Sequence, residues 1–375
     1  MKNATTDDIM IRHKFCVFCG RVPGSKNKEH VLPQWLLELT GNPRRVVTLG
    51  YNYETSEQVS FAWQSLVVPA CQKCNSEFAK LEDQVKPIVK ALLNRECMPA
   101  SSYLVLLDWL DKVRVGLWLT YHLIQGNPTQ ILPSFYIKQR MRTKDRFLAI
   151  YPLSGRQNGL NAYGVETLLF HHAPSAFGLR INDMLILNAS TDYMIAGRCG
   201  LLAPSKMAIF LDGEHAGKLS CSEYVSSQRL ENLVFPNHLY KPSVFLLQPI
   251  SSQGVDGKLP SQTSADSSFG DPNIRQFMGE NLSDGIGKLV EQLPGWARRI
   301  DDNDEQIEFQ VIADSDATKM GDLVAQVYEL QIWLNEKVNV TSENPALIES
   351  WNEFQSSLIS ENSKYAKYYH DQAKP

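Results

Sequence analysis

Seven residues near the start of this chain have types and spacing suited to joint chemistry: Cys16, Cys19, Glu29, His30, Cys71, Cys74 and Asn75. The cysteines form two Cys-x-x-Cys pairs, Cys16-Val17-Phe18-Cys19 and Cys71-Gln72-Lys73-Cys74. A two-residue spacer lets both sulfurs of a pair reach one ion, and four thiolates are the normal ligand set of a closed, tetrahedral zinc site. Two pairs distant in sequence would pin separate segments together and stabilise a module whose own core is thin. Between the pairs stands Lys28-Glu29-His30-Val31-Leu32-Pro33. A carboxylate can hold a hard divalent cation, and an imidazole, with its ordinary pKa of about 6.5, can take a proton from water. Adjacent side chains on a strand point to opposite sides, so Glu29 and His30 serve one site only at a bend or strand end. Asn75 directly follows the second pair and offers a further oxygen to the same cation. A cation held by few protein ligands keeps positions open for water and phosphate. Plainer readings stand beside these: His30 packed beneath Trp35 in a purely structural zinc ribbon, and Asn75 as a simple helix cap.

Taken in order, Cys-x-x-Cys, Glu-His-Val-x-Pro and Cys-x-x-Cys-Asn resemble the HNH endonuclease family, a ββα-metal nuclease core with an added four-cysteine zinc. The resemblance covers roughly residues 14–90. It implies that Glu29 and Asn75 hold a catalytic Mg²⁺ or another divalent cation, that His30 is the general base, and that Cys16, Cys19, Cys71 and Cys74 bind structural zinc. The reaction it implies is hydrolysis of phosphodiester bonds in DNA, with RNA as an open second substrate. The sequence also departs from the family pattern. Many members carry Asp or His where Glu29 stands. Many carry a final His or Asn one turn into the helix, where this chain has Ser76-Glu77-Phe78-Ala79-Lys80-Leu81-Glu82. Glu82 could stand in for it, although an exposed helix acid is the plainer reading. Some forty residues separate His30 from Cys71, which implies an inserted hairpin. A nuclease joined to a large unfamiliar body resembles gated effectors of bacterial anti-phage defence and restriction enzymes. The alternative is a non-catalytic zinc-ribbon module that binds nucleic acid or protein. A toxin or phage-encoded homing enzyme is a third reading.

The elements that must position these residues follow from local pattern. Gly20 lets the first knuckle turn. Glu29–Val31 reads as a short strand and Pro33–Leu39 as a helix, since proline suits a first turn. Arg44–Leu49 and Val59–Val68 read as a β-hairpin with a long polar loop. A helix capped by Asn75 or Ser76 runs through Phe78, Leu81, Val85, Ile88 and Val89 at helical spacing, with Pro87 as a possible kink. Residues 101–125 form a second helix, with Leu106, Leu107, Leu110, Val113, Leu117 and Leu119 in or near one stripe. Short β-like runs follow at 147–153, 165–170, 184–188, 193–197, 206–211 and 240–247, and helices at 322–338 and 347–358. The expected fold class is α+β. An N-terminal ββα-metal HNH module with zinc knuckles spans 1–98, and a mixed α+β domain of unknown role spans 99–247. A linker or flexible loop covers 248–272, and an acidic, mainly helical region 273–375.

Composition bounds the setting. The chain has 375 residues, 43% hydrophobic and 21% charged, which are globular values. Its seven cysteines are an odd number, and the first eight residues lack an apolar stretch and include two acids. Both argue against export and a disulfide framework and for a cytoplasmic protein. Cys97, Cys199 and Cys221 then read as small buried residues. No run of about twenty apolar residues exists to span a membrane. Residues 1–95 hold 13 Lys and Arg against 9 Asp and Glu, while residues 271–375 hold 9 against 19. A basic front and an acidic tail fit a nucleic-acid-facing module joined to a body that does not face nucleic acid. Residues 99–375 are expected to bind a protein partner, a ligand or another copy of the chain. Other residues attract notice. Lys138, Arg140, Arg142, Lys144 and Arg146 have period-two spacing, suited to a strand facing phosphates or to a charged edge strand. His171-His172 reads as a second site or as the end of a strand before Pro174. Trp333 reads as core or oligomer interface.

Overall fold

The front of the chain is built on two short strands far apart in sequence. β1 (Asn27–His30) is followed by α1 (Gln34–Leu39), whose N-cap is Pro33. β2 (Val46–Tyr51) and β3 (Gln58–Ala62) form the inserted hairpin. The single strand expected over 59–68 is broken. The 3₁₀ turn Trp63–Ser65 buries Trp63 and redirects the chain, and β4 (Val67–Ala70) pairs with β1 instead. The pairing is antiparallel, with Glu29 opposite Val68 and His30 opposite Val67. α2 (Gln72–Leu93) follows β4 at once and buries Phe78, Val85, Val89 and Leu92. This helix starts earlier than the sequence pattern predicts: its N-cap is Cys71, so Asn75 lies within the first turn and is not a cap. Pro87 stands inside it.

β5 (Met98–Pro99) leads into α3 (Ala100–Ile124), and every residue from Leu106 to His122 is buried. A helix covered on all sides belongs in the middle of a core. α4 (Ile137–Arg140) is a single turn. Next come β6 (Asp145–Pro152), β7 (Leu160–Tyr163), α5 (Leu168–His172), β8 (Ala176–Ile181) and β9 (Met184–Thr191). β10 (Ala203–Phe210), β11 (Lys218–Val225), β12 (Val244–Gln248) and β13 (Ala265–Ser268) follow. β14 (Val290–Leu293), β15 (Trp296–Arg299) and β16 (Gln306–Ile307) precede α6 (Met320–Asn335), β17 (Val340–Thr341) and α7 (Pro345–Ala373).

Seven strands form one antiparallel sheet in the order β15-β14-β12-β6-β9-β8-β7. Side chains alternate across it, as strand geometry requires. Leu148, Ile150, Ile186, Val244 and Leu246 join the core that contains α3. Phe147, Ala149, Tyr151, Leu185, Leu187, Phe245 and Leu247 join the core that contains Leu323, Val324, Val327 and Leu330 of α6. The sheet thus lies with α3 on one face and α6 on the other. Gly178 on β8 permits the close approach of α6, since a Cβ there would sit 2.7 Å from Val327 Cγ2. A smaller sheet runs β13-β11-β10-β17.

The computed structural model describes residues 15–24, 27–51, 55, 57–124, 136–141, 145–155, 157–191, 195–196, 199, 203–213, 216, 218–225, 239–249, 265–268, 287–293, 296–310, 319–336 and 338–374. The architecture is mixed α+β with a helical C-terminus. The front module shares one continuous core with α3 and one face of the large sheet, and β5 pairs with β16 across the expected boundary at 98. The expected acidic helical region also supplies β14 and β15 to that sheet. Most of the expected linker at 248–272 lies outside the described residues, although Gln248 ends β12 and Ala265–Ser268 is a strand. The β-like run at 165–170 is instead a turn leading into α5, where the Thr167 hydroxyl accepts from Phe170 N–H. Of the run at 193–197, only Ile195 and Ala196 are described, and they are helical. α7 extends well past the expected end at 358, capped at its start by Asn344 Oδ1 accepting from Ala346 N–H.

Candidate metal centre and its carboxylate neighbours

The two knuckles meet. Cys16 and Cys19 lie on a tight loop closed by Gly20 N–H donating to Cys16 O at 2.8 Å. Gly20 has φ of 73°, and a Cβ there would strike the Tyr136 ring, so both backbone and packing require glycine. Cys71 and Cys74 sit at the N-cap and in the first turn of α2. The four sulfurs all lie within 4.8 Å of one another, and Cys19 Sγ is 4.0 Å from Cys71 Sγ. Four thiolates around zinc at the usual Zn–S distance have sulfur–sulfur edges of about 3.8 Å, whereas a disulfide needs about 2 Å. The set can therefore hold one tetrahedral metal ion. Among the described residues it is the sole group of three or more Cys, His, Asp or Glu with ligand atoms this close. Without metal, the thiols differ. The backbone N–H of Cys74 lowers Cys71 to about 7, while burial raises Cys16 and Cys74. Phe18 stacks on Phe78 at 4.0 Å and ties the first knuckle to α2.

Glu29 and His30 stand on β1, and Asn75 stands in the first turn of α2. Glu29 is buried near the end of β1, and His30 is the last residue of that strand. His30 is half-buried, as is Asn75. Neither side chain has a hydrogen-bond partner among the described residues. Glu29 is committed differently. Its Oε1 lies 2.8 Å from Lys112 Nζ, and the same ammonium pairs with Glu82 Oε1 and donates to His30 O at 3.3 Å. Lys112 thus donates hydrogen bonds to Glu82 Oε1 and His30 O and forms an ion pair with Glu29, and a buried ammonium needs such partners. Glu82 is not the exposed helix acid that its position suggests: its side chain is 17% exposed. Burial raises its pKa and Lys112 opposes that shift.

Lys112 was not singled out by its sequence context as a site residue. One signal exists: Asp108, Asp111, Lys112 and Arg114 interrupt a stretch that is otherwise apolar from Leu104 to Leu119. All four are buried with partners. Arg146 Nη1 reaches Asp108 Oδ1 at 2.8 Å and Asp111 Oδ2 at 2.9 Å, and Arg114 Nη2 reaches Asp111 Oδ1 at 2.7 Å. This network corrects the reading of a basic stripe. Arg140 is buried on a helical turn, and burial, with Arg114 nearby, lowers its pKa to about 9. Arg146 faces acids, not solvent, and Lys138 pairs with Glu77. Arg142 and Lys144 lie outside the described residues.

His171 and His172 are on α5, not at a strand end. His171 is fully buried with its ring 3.8 Å from that of Tyr121, and burial holds its pKa well below the usual histidine range. Trp333 packs against the core on the α6 side of the sheet. Cys199 is buried as expected, Cys97 is exposed, and the side chain of Cys221 lies outside the described set. Among the described residues no helix is long and apolar enough to cross a membrane. No protein-family model, curated protein or solved structure matches the chain.

Proposed function

We propose that this chain is a metal-dependent endonuclease of the HNH type that hydrolyses phosphodiester bonds in DNA. The observation that carries the reading is the convergence of four cysteines on a unit of two antiparallel strands and a helix, with His30 at a strand end. In this reading Cys16, Cys19, Cys71 and Cys74 hold structural zinc, which fixes the start of α2 against the first knuckle. Glu29 and Asn75 hold Mg²⁺ or another divalent cation. A carboxylate and an amide oxygen are hard donors of the class such a cation takes, and Glu29 Oε1 is at present paired with Lys112. When bound, that cation supplies charge neutralisation to the scissile phosphate and the leaving oxygen.

His30 then acts as general base. Its imidazole takes a proton from a water whose oxygen attacks phosphorus, and the P–O bond opposite the attack breaks. His30 is the last residue of β1, a place where an adjacent carboxylate and imidazole can serve one site. We read the α+β body and helical tail as the gate and partner surface of a defence effector. A second reading, a non-catalytic zinc-braced binding module, draws on the ion pair that already neutralises Glu29. Supercoiled plasmid incubated with Mg²⁺ or Mn²⁺, and with chelator, separates the two. The nuclease nicks only with metal and loses nicking in His30→Ala at unchanged circular dichroism. Equal nicking by both proteins removes His30 from the reaction.

A further inference from the structure

Lys112 comes from α3, outside the strand–strand–helix unit that carries the other site residues. Its side chain is 1% exposed and spans β1 and α2 by pairing with Glu29 and Glu82. Both recorded ion pairs use the Oε1 atoms. With both carboxyls ionised, two negative charges face one positive charge. A divalent cation added to this group would leave an excess of one positive charge. A phosphodiester, carrying one negative charge, would restore neutrality. In a poorly solvated site such an imbalance is costly, so the two ligands should favour each other.

We propose that Lys112 is the built-in counter-ion of Glu29 and Glu82, so that a divalent cation binds tightly there only together with an anionic phosphodiester. This rests on the nuclease reading, because it takes Glu29 as a metal-binding carboxylate. It adds Lys112 and Glu82 as positioning residues: the ammonium holds both carboxylates in place and weakens metal binding by direct charge opposition. The coupling is reciprocal, so metal also tightens binding of the phosphodiester. A free chain would then carry little catalytic metal and load it on meeting nucleic acid.

The test is Mn²⁺ binding to the zinc-loaded full chain, followed by calorimetry with and without a phosphorothioate duplex that resists cleavage. Glu29→Gln provides the background to subtract. In the wild type, the Glu29-dependent site should tighten by at least about ten-fold when the duplex is present. Lys112→Met should bind Mn²⁺ at least about ten-fold more tightly than wild type without duplex and gain little from adding it, and Lys112→Arg should restore the coupling. If Lys112→Met does not fold, Glu82→Gln decides, since that side chain is partly exposed. It should bind Mn²⁺ at least about ten-fold more weakly than wild type with duplex present. Equal Mn²⁺ affinity in Lys112→Met and wild type, or in Glu82→Gln and wild type, overturns the role of Lys112 while leaving the nuclease reading intact. Binding that is the same in Glu29→Gln and wild type under both conditions overturns the metal-site reading itself.

Discussion

Lys112 Nζ lies 2.8 Å from Glu29 Oε1, while its neighbour Asp111 bonds Arg114 and Arg146 on the side of α3 that meets the large sheet. One turn of a buried helix therefore carries two ion clusters, one toward β1 and α2 and one toward β6 and β9. The second is anchored by Arg146 donating to Gln248 Oε1 at 2.8 Å and by Arg114 donating to Asn188. The front module is thereby joined to the body by charge as well as by apolar packing.

Asp111→Ala should destabilise the fold by about 3–5 kcal/mol, because it leaves Arg114 and Arg146 buried without their shared acid. The check is the midpoint of urea unfolding. Asp108→Ala should cost less, because Arg146 keeps Asp111 and Gln248.

Removing one thiolate tests the brace. Cys74→Ser should release metal and lower stability by on the order of 3 kcal/mol or more, since metal binding and folding are coupled. Metal content by mass spectrometry of the native protein and a thermal melt check it, and chelator should produce the same loss in the wild type. An unchanged melt would show that the cluster does not hold the module together.

Gly178→Ala should cost about 1–3 kcal/mol, because the new methyl meets Val327 in a packed core. Combining it with Val327→Ala should recover part of that loss. A double-mutant cycle would read the contact directly.

His370 bridges α7 to α6, with Nδ1 2.7 Å from Asp322 Oδ1 and Nε2 2.9 Å from Glu329 Oε1. Hydrogen bonding to Glu329, then to Asp322, raises its pKa above the ordinary value. A raised folded-state pKa contributes stability that is fully present below about pH 6.5 and fades as pH rises through the folded value. Melting temperature should therefore fall from about pH 6 to about pH 8 in wild type, and less so in His370→Gln. Identical slopes would remove His370 as the cause.

Much of the front module was legible because its chemistry is written in spacing. The Cys-x-x-Cys pairs, a short strand at Glu29–Val31 and an inserted hairpin follow from local pattern; the structure brings the four cysteines together, sets the strand at Asn27–His30 and ends the hairpin's second strand at Ala62. What pattern could not give was long-range satisfaction of charge. Arg140 and Arg146 look like a surface stripe until acids on α3, far away in sequence, are packed beside Arg146. Glu82 looks exposed until Lys112 reaches it. The break at Trp63 was hidden because Val59–Val68 is β-prone throughout, and burial of the indole overrides that propensity. Gly178 carries no local signal, because the need for glycine there comes from Val327 of α6, distant in sequence.

In the proposed reaction His30 removes the proton from an attacking water. The most direct measurement is cleavage of an end-labelled DNA duplex under single-turnover conditions by zinc-loaded wild type and His30→Ala, each with and without free imidazole. With His30 as general base, the rate should be lower by about 10²–10⁴ in the variant and partly recover with imidazole. Equal rates in the two proteins, or a slow variant that imidazole leaves unchanged while metal and DNA binding are intact, would contradict it.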